Sequence, residues 1–565
     1  MRISKKTYLK MCKKELFFFF LSSVAWAGVG VSLAFLLQHI TDAVTGHQVK
    51  SMYIVVGIAV LYLLADVFLD FALSYSGIVL RKKLSQMLRD SVVERIFKCS
   101  IEEKDEKGDA HYLSLLNNNI DAIEIEYIHG ILMVIAQIFS LIFALIATTL
   151  IQPIMTVIVI VLCALPVFIP RLLKNKLEKT NREALSQRAK YLDFLNDMME
   201  GFQTIKSFGS EAEVNSHHKK NNAKITKIMK YSLMWKRVSM SLSYGMGNAV
   251  VIASWIVGGI FVFKGSIAVP QLIALTTLMN MIAGPFQIIS EYYAEIVSGN
   301  AILNDLFRFI NSGNSAGEYK SNDPVINSLS LDGVSVIKNE SYILKNASLS
   351  IKKGQKIAVI GSSGSGKTTL LKVIAGILHA DEGRLSINDR NLDNNDNLSH
   401  RDILYIAQNT AVFSATIGEN VTLFKGDNEA VVGNAIDKAG LSSWYQRTGC
   451  KADTTIDKSS IGLSGGELKR LDFARAIVGS KAVVLFDEPT SGLDQYHARN
   501  MMNQLLASED QTLLIATHNL AEDNISKFDY VYLIEHGEVT AHDDPKKIMM
   551  SEKYQALSKG DGGSK

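Results

Sequence analysis

Two short stretches in the C-terminal half carry residue types able to hold and cut a phosphate chain. Gly361-Ser362-Ser363-Gly364-Ser365-Gly366-Lys367-Thr368-Thr369 follows Lys356–Ile360, which reads as a buried strand, and leads into a helical pattern from Leu370 to Leu378. Its spacing is G-x-x-x-x-G-K-[ST]. The glycines let the backbone curl until its N–H groups face an anion. Lys367 can then reach the β- and γ-phosphates, and Thr368 offers a hydroxyl to Mg²⁺. The helix that follows adds its positive N-terminal end. The second stretch is Val483-Val-Leu-Phe-Asp487-Glu488. A buried strand that ends in acids sets them at the C-terminal edge of a parallel sheet, where P-loops also lie. Asp487 is then the expected Mg²⁺ partner, and Glu488 is placed to polarise an attacking water. By itself, an apolar strand followed by Asp-Glu is as often structural as catalytic. Its position 120 residues after Lys367 ties it to the P-loop.

A third stretch, Leu463-Ser464-Gly465-Gly466-Glu467, opens an amphipathic helix that runs to Val478. A serine and two glycines at a helix start make a second anion-binding end, although a glycine pair alone is not specific. Taken with Lys367 and Asp487-Glu488, the order and spacing closely resemble the ATP-binding cassette (ABC) family. The likeness extends to Gln408 in Tyr405-Ile-Ala-Gln408, to Ser491-Gly-Leu-Asp494, and to His518 after the strand Leu513–Ala516. A packing histidine would be the ordinary reading of His518 alone. The resemblance implies Glu488, His518 and Gln408 as catalytic residues, with His518 sensing the γ-phosphate. It implies Thr368, Gln408 and Asp487 around Mg²⁺. It also implies that ATP is held by Gly361 through Thr369 of one chain and by Ser464, Gly465, Gly466 and Glu467 of another. Two departures stand out. The family's adenine-stacking aromatic is missing from Val334-Ser-Val-Ile-Lys338, and Tyr342 is near enough to replace it. The loop before the signature, Thr455-Ile-Asp-Lys-Ser-Ser-Ile-Gly462, lacks the usual acidic-basic pair.

The elements that must position these residues belong to a chain of 565 residues with two contrasting halves. Lys+Arg is 59 and Asp+Glu is 56, a near-balance that argues against nucleic acid as a partner. Hydrophobic residues make up 48% and mean hydropathy is +0.14, too high for an ordinary soluble enzyme. Cys12, Cys99, Cys163 and Cys450 have no paired spacing, so neither a disulfide framework nor a zinc site is expected. Six apolar runs, near 16–37, 53–75, 128–150, 154–172, 243–263 and 272–297, are long enough for helices that cross a bilayer. The first is longer than the apolar part of a signal peptide, and Gln38-His39-Ile40-Thr41 offers no small-residue cleavage site, so it reads as a retained span. Lysines and arginines gather in the N-terminal tail, at Arg81-Lys82-Lys83 and at Arg171, Lys174 and Lys176, whereas loop 39–52 has only Lys50. That asymmetry puts both termini in the cytoplasm of what is expected to be a bacterial cell membrane. The inner segments 76–127 and 173–242 are long, polar and helix-patterned, so the spans should continue as helices into the cytoplasm.

The expected fold is therefore membrane α-helical, with six transmembrane helices extended into the cytoplasm, joined to an α/β P-loop NTPase domain. The expected divisions are a transmembrane domain at 1–310, a linker at 311–325 and a cassette at 326–565. Over its whole length the chain resembles an ABC exporter half-transporter. Gly201-Phe-Gln-Thr-Ile-Lys-Ser-Phe-Gly-Ser-Glu211 resembles the family's second inner loop, and Lys107-Gly-Asp-Ala110 with Asp121 resembles its first; in the family such loops touch the cassettes. One chain has one P-loop and one signature, so the resemblance implies a second half-transporter chain, two ATPs with Mg²⁺, and twelve spans among membrane lipids. Retention of Glu488, His518 and the signature favours a homodimer over a heterodimer. The function implied is ATP-driven export of a drug-like molecule, peptide or lipid; an importer on the same fold, or an ATP-gated channel or regulator, is the alternative. The chain begins about 15 residues before the first run, so no N-terminal peptidase domain is expected to trim a peptide cargo.

Polar residues inside spans are costly and mark pathways. Tyr62, Asp66, Asp70 and Ser74 are each four apart, hence on one slowly turning face. Asn280, Gln287, Glu291 and Glu295 lie in the sixth run with Pro285. An acidic, wettable cavity lined by Tyr62, Asp66, Asp70, Asn280 and Gln287 would accept a cationic amphipathic solute. The alternative has the two aspartates satisfied by hydroxyls or water and the two glutamates at the cytoplasmic rim beside basic helices.

Overall fold

A computed structural model describes residues 4–47, 49–312, 326–338, 340–391, 403–426, 428–449, 451–456, 464–479, 481–493, 495–507, 511–518 and 525–561; the side chains of residues 101–102, 159, 162–172, 174, 243, 286–291, 293–294, 495, 497 and 558–561 also lie outside what is described. The chain divides into two units, Met1–Phe97 with Asp109–Ser312, and Lys98–Gly108 with Gly313–Lys565.

The first unit is built from long helices: Lys13–Thr45, Val49–Ile96, Asp109–Ile151, Pro153–Glu200, Glu211–Phe263 and Val269–Asn311. Among the described residues, four of them are long and apolar enough to cross a membrane, namely Lys13–Thr45, Val49–Ile96, Asp109–Ile151 and Glu211–Phe263. The remaining two apolar runs fall on Pro153–Glu200 and Val269–Asn311. Pro153 starts its helix at the position where a missing N–H costs nothing, and Val269–Asn311 continues through Pro285. The shared core is formed by Ala144, Ala147, Met155, Val250, Leu272, Leu275, Leu278 and Ile282. Close helix approach is set by small residues: a Cβ on Gly299 would come 2.8 Å from Tyr127 N, so this crossing tolerates only glycine without a shift.

Polar side chains tie the unit together where the apolar runs end. Buried Glu124 accepts from Ser85 Oγ at 2.7 Å and pairs with Lys82 at 2.8 Å. It lies in one of two π-helical stretches, Leu115–Asn119 and Ile123–Ile128, that interrupt the helix Asp109–Ile151. Arg89 pairs with Asp121 at 2.7 Å. The short helix Lys5–Met11 packs through Tyr8, whose hydroxyl donates to Ser91 Oγ at 2.6 Å and whose ring meets Phe307. A short helix also occurs in each long polar segment: Phe202–Phe208 in this unit, and Ile101–Lys107, capped by Ser100 Oγ, in the stretch Lys98–Gly108 that groups with the second unit.

The second unit is α/β. Its central sheet has the order β12-β11-β3-β10-β9-β6, with β3 Lys356–Ile360, β6 Ile403–Ile406, β9 Val483–Asp487, β10 Thr512–Thr517, β11 Tyr530–Glu535 and β12 Glu538–Asp543. β11, β3, β10, β9 and β6 run parallel, and β12 pairs antiparallel at the edge. Strands buried on both faces read as continuous apolar runs, and alternate residues feed two cores. Ile357, Val359, Leu485, Leu514 and Ile534 face the P-loop helix Lys367–Ile374 and a second sheet. Ala358, Ile360, Phe486, Ile515 and Leu533 face Ile417, Val432, Trp444, Leu471 and Met501 on a group of helices. The second sheet is antiparallel, of order β2-β1-β4-β5, with β1 Ser328–Lys338, β2 Ser341–Lys352, β4 Glu382–Ile387 and β5 Arg390–Asn391, and a two-stranded pair joins β7 Ala415–Thr416 to β8 Thr455–Ile456. The P-loop helix ends at Ile374, four residues before the end of the pattern expected from sequence.

Candidate nucleotide site

β3 is buried along its whole length and delivers the chain to Gly361 at the sheet's C-terminal edge. Gly361 has no room for a side chain: a Cβ would sit 2.3 Å from Ile534 O. Gly364 and Gly366 take φ of +78° and +105°, where a Cβ is strained. At Gly366 a Cβ would also lie 2.9 Å from Ile343 O. Ser362, Ser363 and Gly364 are exposed at the rim, while Ser365 and Lys367 are buried. Lys367 Nζ donates to Gly361 O and Ser362 O, both at 2.8 Å, which holds the ammonium over the loop. Thr369 is half-buried in the first turn of the helix. Ser365 Oγ is buried and has no hydrogen-bond partner among the described residues. A buried polar atom left unpaired costs free energy, and here it belongs to a loop shaped to face an anion.

The neighbouring strand end supplies acid groups. Asp487 is 2% exposed at the end of β9. Thr368 Oγ1 donates to its Oδ1 at 3.1 Å, and the Tyr405 hydroxyl donates to its Oδ2 at 3.0 Å. Burial and the adjacent Asp487 carboxylate push the Tyr405 phenol well above its ordinary pKa, so it remains a donor. Glu488 takes φ of +49°, a left-handed conformation uncommon for a residue with a side chain, and its N–H donates to Ala516 O at 2.9 Å. That turn brings its carboxylate between two partners: Gln408 Nε2 donates to Oε2 at 2.7 Å, and His518 Nδ1 lies 3.2 Å from Oε1. His518 is half-exposed, so it is not a packing histidine. The backbone strain at Glu488 is of a kind that collects where chemistry needs a side chain re-aimed.

Gln408 is fixed from behind, since Lys469 Nζ donates to its backbone carbonyl. Burial pulls the Lys469 ammonium below its usual pKa, against the opposing pull of Asp472, Asp487 and Glu488. Thr410 Oγ1 donates to Asp472, which pairs with Arg475 at 2.9 Å. Sequence reasoning gave no role to Tyr405, Lys469, Thr410 or Asp472. The available signal was a tyrosine in an otherwise apolar strand three residues before Gln408.

Ser464 and Gly465 are exposed at the start of the helix Gly465–Gly479, and Gly466 is half-buried. Ser464 N–H donates to Glu467 Oε2 at 2.8 Å and Glu467 N–H donates to Ser464 Oγ at 3.3 Å, a capping box. Arg447 holds the other Glu467 oxygen at 2.9 Å. Among the described residues, no hydrogen bond joins Ser464–Glu467 to the P-loop of the same chain. Tyr342 lies on β2 with its ring half-exposed, one residue before the Ile343 carbonyl that backs Gly366. Leu463, Asp494 and residues 457–462 of the loop before the signature lie outside the described residues, as do residues 313–325 of the expected linker.

In the helical unit, Tyr62, Asp66 and Asp70 share the helix Val49–Ile96, with Tyr62 and Asp66 half-buried and Asp70 exposed. Neither aspartate makes a hydrogen bond or ion pair among the described residues. Asn280 is exposed, and its Nδ2 donates to Thr276 O of its own helix at 3.3 Å. No hydrogen bond joins it to Asp66 or Asp70 among the described residues. The side chains of Gln287 and Glu291 lie outside the described residues. Glu295 pairs with Lys236 at 3.1 Å, as expected of a group beside a basic helix.

A family model described as the ABC transporter transmembrane region matches residues 16–286, and one described as ABC transporter matches residues 344–491. The chain belongs to the ABC transporter family, with the helical membrane region and the cassette on one polypeptide, and is a multi-pass membrane protein. It is 25% identical over 402 residues to the pediocin PA-1 transport/processing ATP-binding protein PedD of Pediococcus acidilactici, covering 68% of this chain and 54% of that one. It is 28% identical over 379 residues to a putative multidrug export ATP-binding/permease protein of Staphylococcus aureus, covering 65% of this chain and 64% of that one. The chain thus spans between half and two thirds of those relatives' lengths. A bacterial Atm1-family ABC exporter with ATP bound has the same fold, with a TM-score of 0.82 at 18% identity over 98% of this chain and 99% of that one. The family implies a nucleotide and Mg²⁺, and the residues present fit both. The unpaired Ser365 Oγ and the glycine-lined loop suit a phosphate chain. The Thr368 hydroxyl and the Asp487 carboxylate are hard oxygen donors of the kind Mg²⁺ takes.

Proposed function

We propose that this chain is one half of a dimeric, ATP-hydrolysing exporter that moves an amphipathic solute across a bacterial cell membrane, with both termini in the cytoplasm. The domains run as 1–310 for the membrane part, 311–325 for the linker and 326–565 for the cassette. The reading is carried by one observation: Glu488 sits between Gln408 and His518, one residue after a buried carboxylate that meets Thr368 of the P-loop. Gly361 through Thr369 hold the phosphates, Lys367 neutralises the β- and γ-oxygens, and Tyr342 stacks on adenine. Thr368, Asp487 and Gln408 would hold Mg²⁺, which would supply positive charge against the developing charge of the leaving phosphate. Glu488 orients the attacking water and takes its proton at the carboxylate; His518 holds the γ-phosphate side.

The Ser464–Glu467 helix start, exposed at Ser464 and Gly465, and the P-loop of one chain are complementary halves of a site, which a second copy completes. The homodimer is favoured because this chain keeps Glu488, His518 and the signature together. Closure on two ATPs and release after hydrolysis would alternate the two faces of a helical pathway. The pediocin transporter and the multidrug exporter among its relatives support peptides or drug-like molecules as the solute class. Asp66 and Asp70 support a cationic one. The test is ATPase activity of the protein reconstituted in vesicles, screened for ligands that raise it, followed by the direction of ATP-driven flux. Stimulated turnover with flux away from the cassette side supports export. Flux toward it identifies an importer, and ionic current without solute flux identifies a channel.

A further inference from the structure

We propose that Tyr405 is a positioning residue for Asp487: its phenol pins one carboxylate oxygen, so that the other stays aimed, beside Thr368, at a divalent cation bound with the nucleotide. The proposal rests on reading the P-loop site as a Mg²⁺–ATP site. Asp487 is 2% exposed, and its two oxygens have separate hydroxyl partners, Thr368 Oγ1 at 3.1 Å on Oδ1 and the Tyr405 hydroxyl at 3.0 Å on Oδ2. Both hydroxyls must donate, because an ionised carboxylate only accepts. Terminal carboxylate torsions are broad and roughly two-fold, so the hydrogen bond to Oδ2 is what selects the heading of Oδ1.

The sheet makes this reach unavoidable. β6 pairs parallel with β9, and Tyr405 stands opposite Leu485, two residues before Asp487. The ring must therefore run along the strand for about 6.6 Å, two residues at 3.3 Å each, to bring its hydroxyl to the strand end. A phenylalanine would occupy the same space and leave Oδ2 buried without a donor. The same segment grips the neighbouring acid three residues later, where Gln408 Nε2 meets Glu488. Lys469 fastens that segment through the Gln408 carbonyl. Tyr405 and Gln408 thus set the two acids from one short piece of chain. Tyr405 acts through Asp487, the carboxylate its hydroxyl reaches. Outer partners of this kind typically govern metal affinity by about 10- to 100-fold.

The test uses the full-length protein in lipid nanodiscs, with Mn²⁺ as a spectroscopic substitute for Mg²⁺. Mn²⁺ binding is titrated by electron paramagnetic resonance with a non-hydrolysable ATP analogue, and analogue binding is measured separately in EDTA. Tyr405→Phe is expected to weaken Mn²⁺ binding about tenfold and to leave analogue binding in EDTA unchanged. The Mg²⁺ concentration for half-maximal ATPase activity should rise by the same factor, with kcat recovering at high Mg²⁺. Tyr405→Leu should match Tyr405→Phe, since both lack the hydroxyl. Unchanged Mn²⁺ binding in Tyr405→Phe overturns the proposal. So does a loss confined to Tyr405→Leu, which makes the ring and not the hydroxyl responsible, and so does a parallel loss of analogue binding in EDTA. Failure of the wild-type protein to bind Mn²⁺ with the analogue overturns the Mg²⁺–ATP reading itself, an outcome distinct from failure of Tyr405→Phe alone.

Discussion

Replacing Glu488 by glutamine should separate holding ATP from cutting it. Oε2 accepts from Gln408 Nε2 at 2.7 Å and Oε1 lies 3.2 Å from His518 Nδ1. In Glu488→Gln, the amide oxygen can keep the bond from Gln408. The amide nitrogen then faces His518, which can present a lone pair at Nδ1 by changing tautomer. Glutamine is no more strained than glutamate at φ +49°, so the turn should survive. Lys367, Thr368 and Asp487 are untouched, and nucleotide binding should remain. What disappears is the group proposed to take a proton from the attacking water. Loss of a positioned base costs about 10²- to 10⁴-fold, so turnover should fall at least a hundredfold, or about 2.7 kcal/mol on the barrier. The assay is phosphate release by the reconstituted protein beside equilibrium binding of ATP. ATPase activity near the wild-type rate, with binding intact, would refute the assignment of Glu488 as the base. Loss of binding in step with activity would show that its role is to hold the site together.

Other variants probe the rest of the site. Tyr342→Ala should weaken ATP binding by about 1 kcal/mol if the half-exposed ring stacks on adenine; unchanged affinity by equilibrium binding removes that role. Gly366→Ala forces a Cβ into a left-handed turn against Ile343 O, so the loop should distort at a cost of about 1–3 kcal/mol, read as a loss of ATP affinity. Ser464→Ala removes a cap worth about 1 kcal/mol to its helix; ATP-induced dimer closure, followed by cross-linking, should weaken more than ATP binding to the separate chain. Asp66→Asn combined with Asp70→Asn should reduce ligand-stimulated ATPase activity more for cationic than for neutral ligands, and equal losses for both would make the pair structural.

The candidate nucleotide site was legible in the sequence because its geometry is local. A P-loop needs glycines at fixed offsets, a lysine and a hydroxyl, and these read out along nine consecutive residues whatever surrounds them. Buried parallel strands were equally plain, since strands covered on both faces must be apolar along their covered length, as Val483–Phe486 is. The long helices followed from apolar runs and proline-free polar segments between them. Tertiary structure alone decided which side chains meet across strands. The grip of Gln408 on Glu488, the turn of His518 toward the same carboxylate, and the contact of Tyr405 with Asp487 span 80, 30 and 82 residues of sequence. They depend on β6, β9 and β10 being neighbours, a choice made by packing two cores at once and written in no single segment. The left-handed turn at Glu488 was likewise invisible, because glutamate carries no preference for it. The fold imposes that conformation because β9 ends there under Ala516, where the chain must turn to point a carboxylate at its partners.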